Sequence, residues 1–154
     1  MATYRATADW KLTATPEDFL KNRYSRGHAL VFGSGFEAPG TASPHVIGNK
    51  WSVPGALDPE EMLVASLSTC HMLTFLHKAR EAGFVVASYR DEAEGLMEKI
   101  AEGRLAVTRV TLRPRIAYVG RAPTAAERAH LHHAAHEECF IANSVKTEIS
   151  IEAG

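Results

Sequence analysis

The sequence predicts an α+β fold in which a mostly antiparallel sheet packs on a long central helix. Three observations predict it. A capped and almost continuously apolar helix begins at Asp58. Two alternating segments meet at a Glu102-Gly103 turn. A second capped helix then leads into a short alternating strand at Lys146 to Glu152. The 154 residues fit one domain, 1–154, and suffice to bury a core without disulfide or metal staples.

In chain order, Tyr4 to Thr13 alternates loosely around Trp10 and suits a first strand. Pro16 to Lys21 is polar apart from Phe19 and Leu20, and fits a connection or short turn. Tyr24, Arg26, His28, Leu30 and Phe32 fall on one face at period 2, which predicts a strand over 24–32. Residues 33–55 are rich in Gly and Pro and predict a loop, with a short strand near His45 to Ile47. Asp58-Pro59-Glu60-Glu61 then combines an N-cap acid, Pro at the first helical position and a carboxylate three residues after the cap. Met62 to Leu76 is apolar nearly all round, and Gly83 supplies the stop. Segments 84–98 and 104–119 predict strands joined as one hairpin. Thr124 caps a helix to Glu138, with Glu127 completing a capping box.

Composition excludes several classes of function. The net charge of -1 offers no excess positive charge for nucleic acid or an anionic membrane, and no helix-turn-helix signal is present. No apolar run approaches the ~20 residues of a membrane span. Met1 to Trp10 lacks the apolar core of a signal peptide, so the expected localisation is cytoplasmic.

Chemistry points first to the two cysteines. Cys70 and Cys139 lie 69 positions apart, so they form neither a C-x-x-C motif nor a zinc-ribbon pattern. Cys70 sits mid-helix and is either a buried small hydrophobe or a nucleophile. As a nucleophile it needs a nearby cation, most plausibly Arg, because ~12 helical residues separate it from the positive end of the helix dipole. Arg23 and Arg26 are the early candidates. Arg26 shares the face of Leu30 and Phe32, and a core-facing Arg calls for a carboxylate partner. Glu60 and Glu61 complement the helix dipole in the first turn. Glu60 stands ten residues before Cys70, or ~15 Å along the axis. Serving the same site would require two such helices antiparallel across a two-fold. His132, His136 and Cys139 share a helix face and form a possible metal face, against the simpler reading of a polar helix surface. His71 and His77 have no obvious partner.

The segment Asp58-Pro59-Glu60-Glu61-Met62-Leu63-Val64-Ala65-Ser66-Leu67-Ser68-Thr69-Cys70 resembles the Asn/Asp-Pro-Glu-x-x-x-x-Ala-x-x-x-x-Cys helix of the osmotically inducible protein C / organic hydroperoxide resistance (OsmC/Ohr) family. Cys139-Phe140-Ile141-Ala142-Asn143-Ser144 is similar to that family's Cys-x-x-x-Asn segment. The resemblance implies the OsmC-like fold as an intertwined homodimer without metal, haem or other cofactor. It further implies a thiol-dependent peroxidase that reduces organic hydroperoxides to alcohols. Cys70 looks like the peroxidatic cysteine, Cys139 like the resolving one and Glu60 like the active-site glutamate. Arg26 looks like the active-site arginine, with Arg23 as competitor. A dithiol, of lipoyl type in the family, would be the reductant. The segment from Thr13 to Lys21 and the Gly/Pro loop depart from the best-known hydroperoxide resistance enzymes, which makes this a divergent OsmC-like branch. The competing expectation is a redox-sensing or ligand-binding protein on the same fold without turnover.

Overall fold

The computed structural model describes residues 1–153, and the chain divides into two compact units, Met1–Met62 and Leu63 onward. In the first unit, β1 (Ala6–Asp9), β2 (His28–Phe32) and β3 (Glu37–Gly40) form an antiparallel sheet in the order β1-β2-β3. The first two strands are shorter than their alternation predicts. The stretch 16–21 is a helix rather than a plain connection: α1 (Pro16–Leu20) is capped by Thr15, whose hydroxyl accepts from the Asp18 N–H, with Pro16 starting the helix. Arg26 lies before β2, not within it. Residues 45–47, expected as strand, belong instead to α2 (Pro44–Ile47). Ser43 caps this short helix and Pro44 fixes its first φ, so local capping overrides the β-propensity of Val46 and Ile47.

The long helix α3 (Pro59–Glu81) begins where its sequence signals place it, with Asp58 Oδ1 accepting from the Glu61 N–H at 2.8 Å. Its buried side chains are Leu67, His71, Phe75 and Ala79, a stripe at every fourth residue. The rest of its apolar surface is only half-covered in the chain, and Leu73 stays 58% exposed.

In the second unit the two long predicted strands each break in two. β4 (Val85–Asp91) and β7 (Pro114–Val119) pair antiparallel as one sheet. β5 (Glu94–Ala101) and β6 (Arg104–Leu112) pair antiparallel in a second sheet, which β8 (Glu148–Ile151) joins parallel to β6. The breaks fall at 92–93 and at Arg113. There Asp91 accepts from the Arg113 N–H through Oδ1 at 2.6 Å and from the Ser68 hydroxyl of α3 through Oδ2 at 2.5 Å. A backbone donor and a helix hydroxyl satisfied by one carboxylate make a pinned corner. The Glu102-Gly103 turn closes β5 on β6, and Gly103 adopts φ +67, which suits glycine. α4 (Ala125–Glu138) carries the Thr124–Glu127 capping box, and Ala142–Ser144 forms a 3-10 turn.

Two apolar clusters hold this unit. Phe75, Ala79, Phe84, Leu131 and Ala135 join α3 to α4. Leu67, Val110 and Leu112 join α3 to β6, with Ile141, Val145 and Ile149 packed on them. The cysteines stand on the same elements: Cys70 on α3 and Cys139 at the C-terminal cap of α4. Among the described residues no helix is long and apolar enough to cross a membrane.

Candidate functional site: a thiol pair and a buried histidine pair

The fold brings together the two cysteines that the sequence separates. Both thiols are free, Cys70 half-buried and Cys139 buried. They lie close enough to interact, and Cys70 follows burial as the second cause that raises the Cys139 pKa. Together these push the Cys139 thiol up to about 11, although N–H groups of Ala142 and Ile141 partly offset the rise. The Ala142 N–H donates to Cys139 Sγ at 3.5 Å from the 3-10 turn that follows α4. The chemistry of the pair is therefore asymmetric. Cys139 is a protonated, buried thiol at neutral pH, and Cys70 is the sulfur with access to solvent.

The ring nearest in sequence to Cys70 turns the other way. His71 Nε2 and His132 Nδ1 are 3.0 Å apart, with the rings nearly parallel at 6° and both residues buried. Phe75 packs on His132 with ring centroids 4.4 Å apart. Burial first, then the neighbouring His136, lowers His71 to about 4 against a weak opposing effect of Asp91. Burial first, then His71 and Arg128, lowers His132 to about 4. Both imidazoles are neutral at pH 7, and one hydrogen bond is shared between them. His71 was expected to lack a partner. The signal that could have placed it is the spacing Leu67, His71, Phe75, Ala79, which sets His71 on the buried stripe of α3.

The face of α4 shared by His132, His136 and Cys139 is not the polar surface expected, since His132 and Cys139 are buried, and the alternative metal face does not assemble. His132 is turned into the core against His71 and Phe75, and no group of three or more His, Cys, Asp or Glu able to hold a metal ion occurs among the described residues.

The remaining expected site residues belong to the first unit. Arg23 is committed to Asp18, donating through Nε at 2.9 Å and Nη2 at 2.6 Å. Arg26 is half-buried and lies flat on Tyr24, its Cζ 3.6 Å from the ring centroid. Its Nη1 donates to the Tyr24 carbonyl at 2.5 Å, and its Nη2 donates to Asn22 Oδ1. The carboxylate partner expected for a core-facing Arg26 is thus replaced by an amide, a carbonyl and an aromatic face. Glu60 Oε2 is buried with no hydrogen-bond partner among the described residues. Glu61 is exposed, in keeping with a helix-capping role. Of the two arginines, only Arg26 keeps uncommitted donors beside no carboxylate of its own.

A capped helix carrying a cysteine, a second cysteine delivered to it from the end of another helix, and the surrounding strand order can be compared with known proteins. The model of the OsmC-like protein family matches residues 52–154. The chain belongs to the OsmC-like family. An OsmC-like protein of unknown function from Vibrio cholerae is 43% identical, with a TM-score of 0.93 over 100% of both chains. An organic hydroperoxide resistance protein from Legionella pneumophila has a TM-score of 0.71 at 18% identity, covering 99% of this chain and 96% of its own. The organic hydroperoxide resistance protein OhrB of Bacillus subtilis has a TM-score of 0.70 at 16% identity, covering 99% and 98%. These last two share the fold. No curated protein sequence matches significantly. In the OsmC-like family frame, both Cys70 and Cys139 fall inside the matched segment and Arg26 outside it.

Proposed function

We propose that this OsmC-like protein is a thiol-dependent peroxidase that reduces organic hydroperoxides. The observation that carries the reading is the thiol pair, one half-buried and one buried and protonated, close enough for the first to perturb the second. The names of its structural relatives from Legionella and Bacillus, both organic hydroperoxide resistance proteins, support the substrate class.

The Cys70 thiolate attacks the distal oxygen of R–O–O–H. The O–O bond breaks, sulfur is oxidised to a sulfenic acid, and the departing alkoxide takes a proton to leave as the alcohol. Cys139 then attacks the Cys70 sulfur. The S–OH bond breaks, an S–S bond forms, and the hydroxyl leaves with the Cys139 proton as water. A small dithiol reduces the disulfide by exchange and leaves as its own disulfide. Arg26 is proposed to hold the thiolate and Glu60 to orient the guanidinium, as the family resemblance implies, in a homodimer.

The test is a titration of reduced protein with one equivalent of alkyl hydroperoxide, read by intact mass and free thiols. Wild type is expected to lose both thiols and Cys139→Ser to accumulate a trappable sulfenic acid, while Cys70→Ser stays inert. Unreacted thiols in the wild type would refute the peroxidase. Cumene and fatty-acid hydroperoxides are expected to react faster than hydrogen peroxide, in keeping with the organic hydroperoxide resistance proteins that share the fold.

A further inference from the structure

We propose that a cavity between α4 and the end of β8 binds a small organic carboxylate, with Arg128 taking its charge and His132 donating one hydrogen bond. The site is built wholly within the second unit and makes no use of the thiols, so it stands whether or not the cysteines turn over.

The cavity encloses about 380 Å3, within the usual range of small-ligand sites. Arg128, Ala129, His132 and His133 share one stripe of α4 at helical spacing, and Ile151 of β8 completes the wall with its apolar side chain. Among the described residues no carboxylate lies on this wall. Arg128 is half-buried and, among the described residues, makes no ion pair. Glu127, its neighbour in the chain, is spent on the Thr124 N–H and on Arg121. Arg128 also closes the first turn of α4, where the helix dipole disfavours a cation. An unpaired guanidinium against that dipole calls for an anion from outside the chain.

His132 supplies the second polar group. It is 5% exposed, and its Nδ1 is held by His71 Nε2 at 3.0 Å. That bond turns the opposite edge of the ring away from α3. Nε2, on that edge, is buried and has no hydrogen-bond partner among the described residues. Such a group is costly to leave unpaired, and buried polar groups are rarely left so. Burial first, then His71 and Arg128, lowers the His132 pKa, so the guanidinium lies within electrostatic reach of the ring. With the His71 Nε2–H donating to His132 Nδ1, His132 carries its own proton on Nε2 as a donor. A planar guanidinium fork and one N–H match a planar head of two oxygens and one negative charge, which is a carboxylate. A phosphate brings more charge and more oxygens than these donors satisfy. Ala129 and Ile151 leave the rest of the wall apolar, so the body of the ligand is a short aliphatic chain.

The experiment titrates the full chain, its histidines labelled with nitrogen-15, with isovalerate, and follows the imidazole resonances by NMR and the heat by calorimetry. Inorganic phosphate and 3-methylbutan-1-ol, the uncharged alcohol of the same shape, are titrated beside it. Wild type is expected to bind isovalerate saturably with a Kd of about 1 mM and to shift the His132 resonances. The alcohol and phosphate are each expected to bind at least about tenfold more weakly. Arg128→Gln should weaken isovalerate binding by about tenfold or more. Ala129→Leu, which fills the cavity and leaves its charge alone, should abolish it. Arg104→Gln, which removes an exposed cation at the start of β6, should bind as wild type does. A urea transition shows each variant to be folded. Isovalerate affinity unchanged in Arg128→Gln or in Ala129→Leu, phosphate or the alcohol binding as tightly as the acid, or no shift of His132 up to about 50 mM isovalerate would each overturn the proposal.

Discussion

Acidification should unfold this protein through the His71–His132 pair. In the unfolded chain both imidazoles titrate near 6.5, and in the fold each is lowered to about 4. A depressed folded pKa means that the unfolded state binds protons first as pH falls. The associated stability is therefore complete above pH 6.5 and is lost progressively down to about pH 4. Between pH 7.5 and 5.0 the linkage relation gives a loss of about 2 kcal/mol per histidine, hence about 4 kcal/mol for the pair. The two rings share a hydrogen bond, so the loss belongs to the pair rather than to either ring. Urea unfolding at pH 7.5, 6.5, 5.5 and 5.0 reads it directly. With a slope of about 2 kcal/mol per molar urea, the midpoint should fall by about 2 M across that range. His132→Gln, which carries no titrating ring, should show about half the pH dependence. A midpoint constant within about 0.5 M, or either imidazole titrating near 6.5 in an NMR experiment on the folded protein, would refute the reasoning.

Other consequences follow from the same packing. A Cβ at Gly95 would meet Val64 Cγ2 at 2.6 Å and Val107 Cγ1 at 3.4 Å, and valine tips have little room to swing. Gly95→Ala should cost about 1–3 kcal/mol by chemical denaturation. Leu112 is fully buried, so Leu112→Ala should cost about 2–5 kcal/mol, measured the same way. Asp91→Ala strands the Arg113 N–H and frees Ser68, two residues before Cys70. It should cost about 1–3 kcal/mol and speed amide exchange at Arg113. Thr124→Ala removes the α4 cap and should cost about 1 kcal/mol, with fraying seen first in the hydrogen exchange of residues 125–128.

Capping chemistry made much of the fold legible. The Asp58-Pro59 and Thr124–Glu127 signatures begin their helices in the structure as they do in the sequence, because caps are satisfied within three residues. Tertiary contacts decided what periodicity could not. Segments 84–98 and 104–119 alternate without visible interruption, yet Asp91 ends one pairing and starts the next by bonding Arg113 N and Ser68. Phe19 belongs to a helix of only five residues, too short for a periodic signal, and its cap at Thr15 was the readable clue. In the site, residue types drew attention to Cys70, Cys139, Arg26 and Glu60. The nearness of the two cysteines and the turning of His132 onto His71 needed the packing of α3 on α4.

That packing also bears on where the charge for a thiolate must come from. A cysteine lowered in pKa needs a cation beside it. His71 follows Cys70 in the chain, but burial holds it neutral, as it holds His132. Neither ring can supply that cation at pH 7. Cys139, pushed up to about 11, supplies a proton to share but no charge. On the proposed peroxidase reading the cation is then a residue that stays charged under any burial, and a guanidinium does. Arg23 is bound twice to Asp18 and is neutralised by it. Arg26 spends one donor on the Tyr24 carbonyl and one on Asn22, neither of them charged, so three of its five donors remain. Glu60 keeps a buried carboxylate oxygen without a donor, a costly state that a guanidinium relieves. The expected consequence is that Arg26→Lys, which keeps the charge and loses the planar fork, lowers the rate of sulfenic acid formation by about tenfold or more in single-turnover experiments, while Arg23→Lys leaves it within twofold. Equal effects of the two substitutions would remove Arg26 from the proposed site.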